Sequence, residues 1–208
     1  MKKRKKIALV LGVTGQDGSF MAKLLLKKNY IVHGLVRKSA TGNLKNILSM
    51  VNKKKELIIH HGDLLDFMSI LNIITKIKPN EIYNFADQDH VNWSFELPSY
   101  SFGVTASSII NLLEIIKKYS PKSKYFQPLS SNMFGNSKSK KQNENEPLTP
   151  LSIYALGKAT AYHACKLYRD VFGLKTYGAI FYNHESEVRP EEYVTRKITK
   201  SVARIFYG

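Results

Sequence analysis

Ile7-Ala8-Leu9-Val10-Leu11-Gly12-Val13-Thr14-Gly15-Gln16-Asp17-Gly18-Ser19 decides the fold of this chain. An apolar run passes straight into glycines spaced three apart, and an amphipathic run with Phe20, Met21, Leu24, Leu25 and Leu26 follows. That order predicts a buried strand, a tight turn and a helix. Glycine suits the turn because a side chain would hold the backbone away from a pyrophosphate. The amino end of the helix then offers free N–H groups and the positive end of its dipole to the phosphates. The spacing alone also occurs in ordinary strand–helix turns. Its position directly after the first strand favours a dinucleotide site.

The alternation continues outward from that turn. Strands are expected at 7–11, 31–36, 57–60, 81–85, 124–129 and 176–181. Helices are expected at about 19–28, 67–77, 99–118 and 152–172, with 136–150 a polar loop. This β-α-β order predicts the α/β class, a Rossmann-like doubly wound parallel sheet with helices on both faces. No internal repeat or dividing linker is visible. Ligands in such a sheet sit beyond the carboxyl ends of the strands. The loops after Leu11, Val36, His60, Phe85, Leu129 and Phe181 should therefore converge on one site.

Composition narrows the class. The chain has 208 residues, 43% hydrophobic and 23% charged, which reads as a soluble globular domain with a sizeable core. The single cysteine, Cys165, excludes an internal disulfide framework and suits a reducing, cytoplasmic setting. No apolar run approaches the roughly 18 residues of a membrane span. Lys2-Lys3-Arg4-Lys5-Lys6 before an apolar stretch has the outline of a signal peptide. That stretch is too short and ends in the glycine turn, so a basic tail and first strand are expected. The net charge of +16 comes mostly from lysines scattered along the chain rather than clustered. This argues against a nucleic-acid partner and suits an anionic cofactor and substrate.

Two constellations carry chemistry. After the second strand comes Val36-Arg37-Lys38-Ser39, where an NAD-specific fold usually places an acid. Two cations there suit the 2′-phosphate of NADP. Further on, Tyr154 and Lys158 stand at i and i+4 of an expected helix, on one face. A nearby ammonium favours the phenolate and brings the Tyr pKa toward the range of a general base. With Ser130-Ser131 at a strand end, this suggests Ser/Tyr/Lys proton-and-hydride chemistry on a hydroxyl or ketone.

Together these features resemble the extended short-chain dehydrogenase/reductase superfamily. The finer motifs resemble the GDP-mannose 4,6-dehydratase family. They are Val13-Thr14-Gly15-Gln16-Asp17-Gly18-Ser19, Val32-His33-Gly34-Leu35-Val36-Arg37, Gly62-Asp63-Leu64 and Glu81-Ile82-Tyr83-Asn84 with His90-Val91. The most specific are Asn183-His184-Glu185-Ser186 and Val194-Thr195-Arg196-Lys197-Ile198. The resemblance implies NADP contacts from Gly12, Thr14, Gly15, Gln16, Asp17 and Gly18, and from Arg37, Lys38 and Ser39. It implies further contacts from Asp63, Leu64, Phe85, Gln88, Tyr100, Lys158, His184 and Arg189. Asn183, Val194 and Lys197 fall on the side of the substrate, GDP-mannose or a related nucleotide sugar. The catalytic group is Ser130, Asn132, Tyr154 and Lys158. The implied reaction is an internal redox cycle in which Tyr154 takes the proton of the sugar 4-hydroxyl, water leaves from C6, and the cofactor is regenerated. The helices at 99–118 and 152–172 imply a homo-oligomer. No metal site is expected.

The resemblance breaks at four places. Asn132 stands where the family has a catalytic Glu that removes the C5 proton, and a carboxamide is no general base near neutral pH. Asp87-Gln88-Asp89 puts acids where the family has small neutral residues. Glu187-Val188-Arg189-Pro190 offers one Arg where the family offers two. The chain also stops at Gly208, where family members continue into a substrate lobe. The expected organisation is an NADP-binding domain over 1–208 that holds only the start of that lobe, about 183–208. Two readings therefore stand: an NADP-dependent sugar-nucleotide dehydratase, or a non-catalytic NADP-binding or assembly subunit of the same fold.

Overall fold

The computed structural model describes residues 4–40, 42–51, 57–139 and 141–208. Lys2 and Lys3 of the expected basic tail, and Lys140 of the polar loop, lie outside the described residues. Strand β1 (Ile7–Leu11) leads through the glycine turn into α1 (Gln16–Lys27), and β2 (Ile31–Val36) follows. A 3-10 turn (Lys45–Ile47) runs on into the short α2 (Leu48–Val51). Then come β3 (Leu57–His61), α3 (Phe67–Ile77), β4 (Glu81–Asn84), α4 (Trp93–Glu96) and α5 (Pro98–Phe102). A π turn (Gly103–Ser107) joins α5 to α6 (Ser108–Tyr119), and β5 (Lys124–Ser130) ends in a 3-10 turn (Ser131–Phe134). The chain finishes with α7 (Ile153–Asp170), β6 (Lys175–Phe181) and α8 (Val194–Tyr207).

All six strands are parallel, in the order β3-β2-β1-β4-β5-β6. The chain starts mid-sheet, builds outward to β3, then returns to the other side of β1. The connections leaving β1 and β4 therefore diverge and open a crevice beyond their carboxyl ends. Leu11 pairs with Asn84, so Gly12 and Phe85 leave the sheet side by side.

Strand β1 is apolar throughout because both its faces are covered. Leu9 and Leu11 join the cluster built with α3, α6 and α7, while Ala8 and Val10 join the one beneath α1. Helix α3 begins where Asp66 accepts from Met68 N and Ser69 N, and ends at left-handed Lys78 before Pro79. Helix α7 starts after Pro150, with Ser152 Oγ accepting from Ala155 N at 3.0 Å.

Several boundaries differ from the expectations. Helix α1 begins at Gln16, inside the glycine motif, because Gly15 itself is the cap. The single helix expected at 99–118 is α5 and α6 with a π turn between them. That run, Pro98–Tyr119, is long and apolar enough by length and composition to cross a membrane, although it holds no uninterrupted apolar stretch of about 18 residues. Its Ser, Thr and Asn residues broke up the apolar pattern in the sequence. More than half of its 18-residue window is buried in the fold, where Ile109, Leu112, Leu113 and Ile116 are core. Helix α8, which no periodicity argument had singled out, has no buried residue, and Val194, Ile198 and Val202 face outward.

Near the outer edge of the sheet, His33 Nδ1 lies 2.7 Å from His60 Nε2, with the rings stacked. Burial, then His60, then Lys76 lower the His33 pKa from 6.5 to about 4, and burial and Lys76 lower that of His60. A depressed histidine pKa means the unfolded chain takes up the proton first. Stability is then fully present above about pH 6.5 and falls as pH drops toward 4, by on the order of 3 kcal/mol for His33. Urea midpoints measured between pH 7 and 4 should fall less steeply in His33→Gln than in the wild type. Equal slopes would show that the pair contributes nothing to acid sensitivity.

Candidate active site

The glycine turn is shaped by contact with the neighbouring strand. Gly12 has φ +73°, and a Cβ there would stand 2.5 Å from the Phe85 carbonyl oxygen. A Cβ on Gly18 would overlap the Gly12 carbonyl oxygen, so this third glycine lets α1 pack onto the turn. Gly15 caps α1 with no side chain over the first N–H groups, which leaves the helix end open to an anion. Asn46 Nδ2 donates to Thr14 O at 2.9 Å and ties the 3-10 turn after β2 to the motif.

A cleft of about 230 Å³ runs from this turn along the carboxyl edge of the sheet. Gly12, Thr14, Gly15, Arg37, Asp63, Leu64, Phe85 and Tyr100 of the expected cofactor residues line it, as do Asn43 and Asp87. Arg37 Nη1 donates to Tyr100 OH at 2.8 Å, which aims the guanidinium across the mouth of the cleft. Lys38 is exposed beside it, and Ser39 O accepts from Gly42 N. An open helix end, a turn without side chains and a guanidinium at the mouth fit a phosphate-bearing dinucleotide.

Other expected cofactor residues are engaged elsewhere. Gln16 Oε1 accepts from Ser186 Oγ at 2.7 Å, and Asp17 Oδ1 lies 3.0 Å from His184 Nε2. Asn-His-Glu-Ser thus clasps the loop after β6 onto the first turn of α1. Gln88 is buried, and its amide Nε2 donates to His90 O. The Arg189 guanidinium lies 3.5 Å from the Tyr193 ring centroid, and Tyr193 and Trp93 both lie against the His90 ring. Asn183, Val194 and Lys197, expected on the substrate side, are exposed.

The Ser130, Tyr154 and Lys158 side chains come together at the ends of β5 and α7. The Ser130 hydroxyl is near enough to that of Tyr154 to favour its phenolate, and Tyr154 is 7% exposed. The Lys158 ammonium is buried, donates to Pro128 O at 2.9 Å, and pairs with the Asp87 carboxylate. It lies 5.7 Å from the Tyr154 ring centroid. Pro128 sits past the last β4 partner of β5, and its carbonyl also accepts from Gln127 Nε2. Gln127 Oε1 accepts from Asn84 Nδ2 at 3.0 Å, so a buried polar chain reaches from the sheet to Lys158. Asn132 follows Ser130 in the 3-10 turn and is exposed.

This geometry corrects one expectation. Tyr154 was expected below its ordinary pKa because of Lys158. Burial raises it; Lys158 lowers it, Asp87 raises it again, and the net shift is upward. The sequence reading counted the ammonium and neither the burial nor the paired acid. It also missed Thr105 and Asn43: Thr105 Oγ1 donates to Asp87 Oδ1 at 2.9 Å from a π turn that leaves no periodic trace.

The clasp is pH-dependent. The Tyr182 carbonyl on Nδ1 raises the His184 pKa against the cost of burial, and Asp17 adds to it. A raised histidine pKa makes the contact fully present below about pH 6.5, and it is lost as pH rises through the folded value. Imidazole NMR should show His184 titrating above 6.5, and nearer to it in Asp17→Asn. An unchanged midpoint in that variant would show that the carboxylate is not a partner.

Comparison with known proteins places the chain in a family. A family profile for GDP-mannose 4,6 dehydratase matches residues 9–208. GDP-mannose 4,6 dehydratase 1 of Arabidopsis thaliana is 42% identical over 215 residues, covering 99% of this chain and 59% of its own. The GDP-mannose 4,6-dehydratase of Sinorhizobium fredii is 38% identical, over 98% of this chain and 60% of its own. The chain thus spans about three fifths of the length of these relatives. Among solved structures, the dTDP-glucose 4,6-dehydratase of Streptomyces venezuelae with NAD bound superposes with TM-score 0.84 at 22% identity, covering 95% of this chain and 62% of its own. A UDP-glucose 4-epimerase from Brucella ovis in complex with NAD gives 0.75 at 22%, covering 86% and 52%. These two likenesses show the fold. On the length and identity of the matches, the chain belongs to the GDP-mannose 4,6-dehydratase family.

Proposed function

We propose that this chain binds NADP in the cleft between the ends of β1 and β4 and acts, as its relatives are named, on GDP-mannose to give the 4-keto-6-deoxy sugar nucleotide. The observation that carries the proposal is the meeting of Ser130, Tyr154 and Lys158 beside a cleft whose turn excludes side chains. The glycine turn and the open end of α1 would hold the pyrophosphate. Arg37, with Lys38 close by, would take the 2′-phosphate, and this supports NADP over NAD. The bound nicotinamide would supply the hydride acceptor and donor.

The residues of the chain have separable tasks. Ser130 donates its hydroxyl hydrogen toward Tyr154 and favours the phenolate. Tyr154 is the group placed to take the proton of the sugar 4-hydroxyl. Lys158 supplies positive charge beneath it. Asn132 can donate or accept a hydrogen bond at the C5 side, and it has no basic lone pair to remove a proton there. The outer face of α6 and α7, with Ile110, Leu156, Leu167 and Val171 exposed, supports a second copy of the chain as partner.

A second reading is a nucleotide-binding subunit without turnover. The upward-shifted Tyr154 and the carboxamide at 132 favour it. One assay separates the two: mass-resolved product formation from GDP-mannose with catalytic NADP⁺. Wild type should turn over slowly, Tyr154→Phe should lose about 10²–10⁴ of that rate, and Asn132→Glu should gain tenfold or more. No product from wild type or Asn132→Glu at any enzyme concentration would contradict turnover by this chain alone.

A further inference from the structure

Asp87 is held more firmly than an incidental acid would be. Its Oδ1 accepts from Gln88 N at 2.8 Å and from Thr105 Oγ1 at 2.9 Å, and its Oδ2 pairs with Lys158. Thr105 lies in the π turn, and α7 passes over it closely because residue 157 is glycine. A Cβ there would stand 2.8 Å from Thr105 Cβ. The residue before Lys158 thus sets the height of α7 over the residue that orients Asp87. The Lys158 and Asp87 side chains are 4% and 12% exposed, so water screens the pair little.

We propose that Asp87 is a positioning residue that acts on Tyr154 through Lys158: it binds the ammonium as its own partner and moves the proton-abstracting form of the site to alkaline pH. A cation alone beneath a phenol favours the phenolate; a cation with its counter-ion attached presents a dipole of far weaker field. The charges around Tyr154 agree. Burial opposes its ionisation, Lys158 favours it, and Asp87 and Asp89 from the loop after β4 oppose it. Tyr193 also couples to Tyr154, and its own pKa is raised by burial first and then by Asp89. Tyr125 of β5, raised mainly by burial, also feels the Asp87 charge. Asp89 is exposed, whereas Asp87 sits on the ammonium, so Asp87 is the acid that governs Lys158. Burial works most strongly against the charge on Lys158, and Asp87, Tyr154 and Asp89 together outweigh it, so the Lys158 pKa rises.

The inference deepens the proposed role of Tyr154 and rests on it for its catalytic meaning, but its test needs no turnover. The protein is labelled with ¹³Cζ-tyrosine, and the Tyr154 resonance is identified by its loss in Tyr154→Phe. In Asp87→Ala the Tyr154 titration midpoint should fall by about one pH unit or more. In the Lys158→Met background the same change should no longer lower it. Asp87→Asn, of the same shape, serves in the same way if the alanine variant does not fold. A Tyr154 that stays protonated to the same pH in the Asp87 variant overturns the proposal. An equal fall without Lys158 overturns it too, because Asp87 would then act directly. A shifted midpoint in a protein that makes no product would leave this inference standing and remove the dehydratase reading alone.

Discussion

The close approach of Gly12 to the backbone of Phe85 is the contact on which the rest of the site depends. It requires φ +73° and no Cβ at residue 12, and no Cβ at residue 18 where α1 meets the turn. A side chain at residue 12 would part the loops leaving β1 and β4 and disturb the crevice where the chain changes direction across the sheet, and one at residue 18 would lift α1 off the turn. The pairing of Leu11 with Asn84 brings the two loops out together. Residues on the loops at the carboxyl ends of the neighbouring strands then line the cleft: Arg37 after β2, Asp63 after β3 and Asp87 after β4.

The second constraint is the disposal of a buried lysine. An ammonium removed from water needs partners for its hydrogens and its charge. Lys158 finds a carbonyl at Pro128 and a carboxylate at Asp87. The carbonyl is the end of a polar chain from Asn84 through Gln127, so the lysine is fixed by the core of the sheet as well as by its own helix. The same arrangement explains the state of Tyr154. Its hydroxyl is buried beside a lysine whose charge is largely spent on an acid, and burial wins.

The fold was legible because the pattern that encodes it is local. Apolar β1 running into spaced glycines, and strands alternating with amphipathic helices, gave the parallel sheet and every strand to within a residue. The meeting of Arg37 and the glycines around one cleft followed from the topology, whereas Tyr100 came only from the family resemblance. What the sequence hid depends on contacts between distant segments. The π turn that brings Thr105 to Asp87 has the composition of an ordinary helix. The clasp of His184 and Ser186 on Asp17 and Gln16 joins residues nearly the whole chain apart. The i, i+4 spacing of Tyr154 and Lys158 gave a cation near a phenol, but the sign of the resulting shift depends on burial and on Asp87, neither of which the spacing contains.

The central claim is that the crevice between β1 and β4 takes a nicotinamide dinucleotide, with Arg37 on the 2′-phosphate. Calorimetric titration of NADP⁺ and NAD⁺ into the wild type and Arg37→Ala tests it most directly. The account predicts one site per chain, NADP⁺ preferred by about tenfold or more in the wild type, and the preference erased in the variant. Failure of either dinucleotide to bind, or an NADP⁺ preference that survives the loss of Arg37, would contradict it.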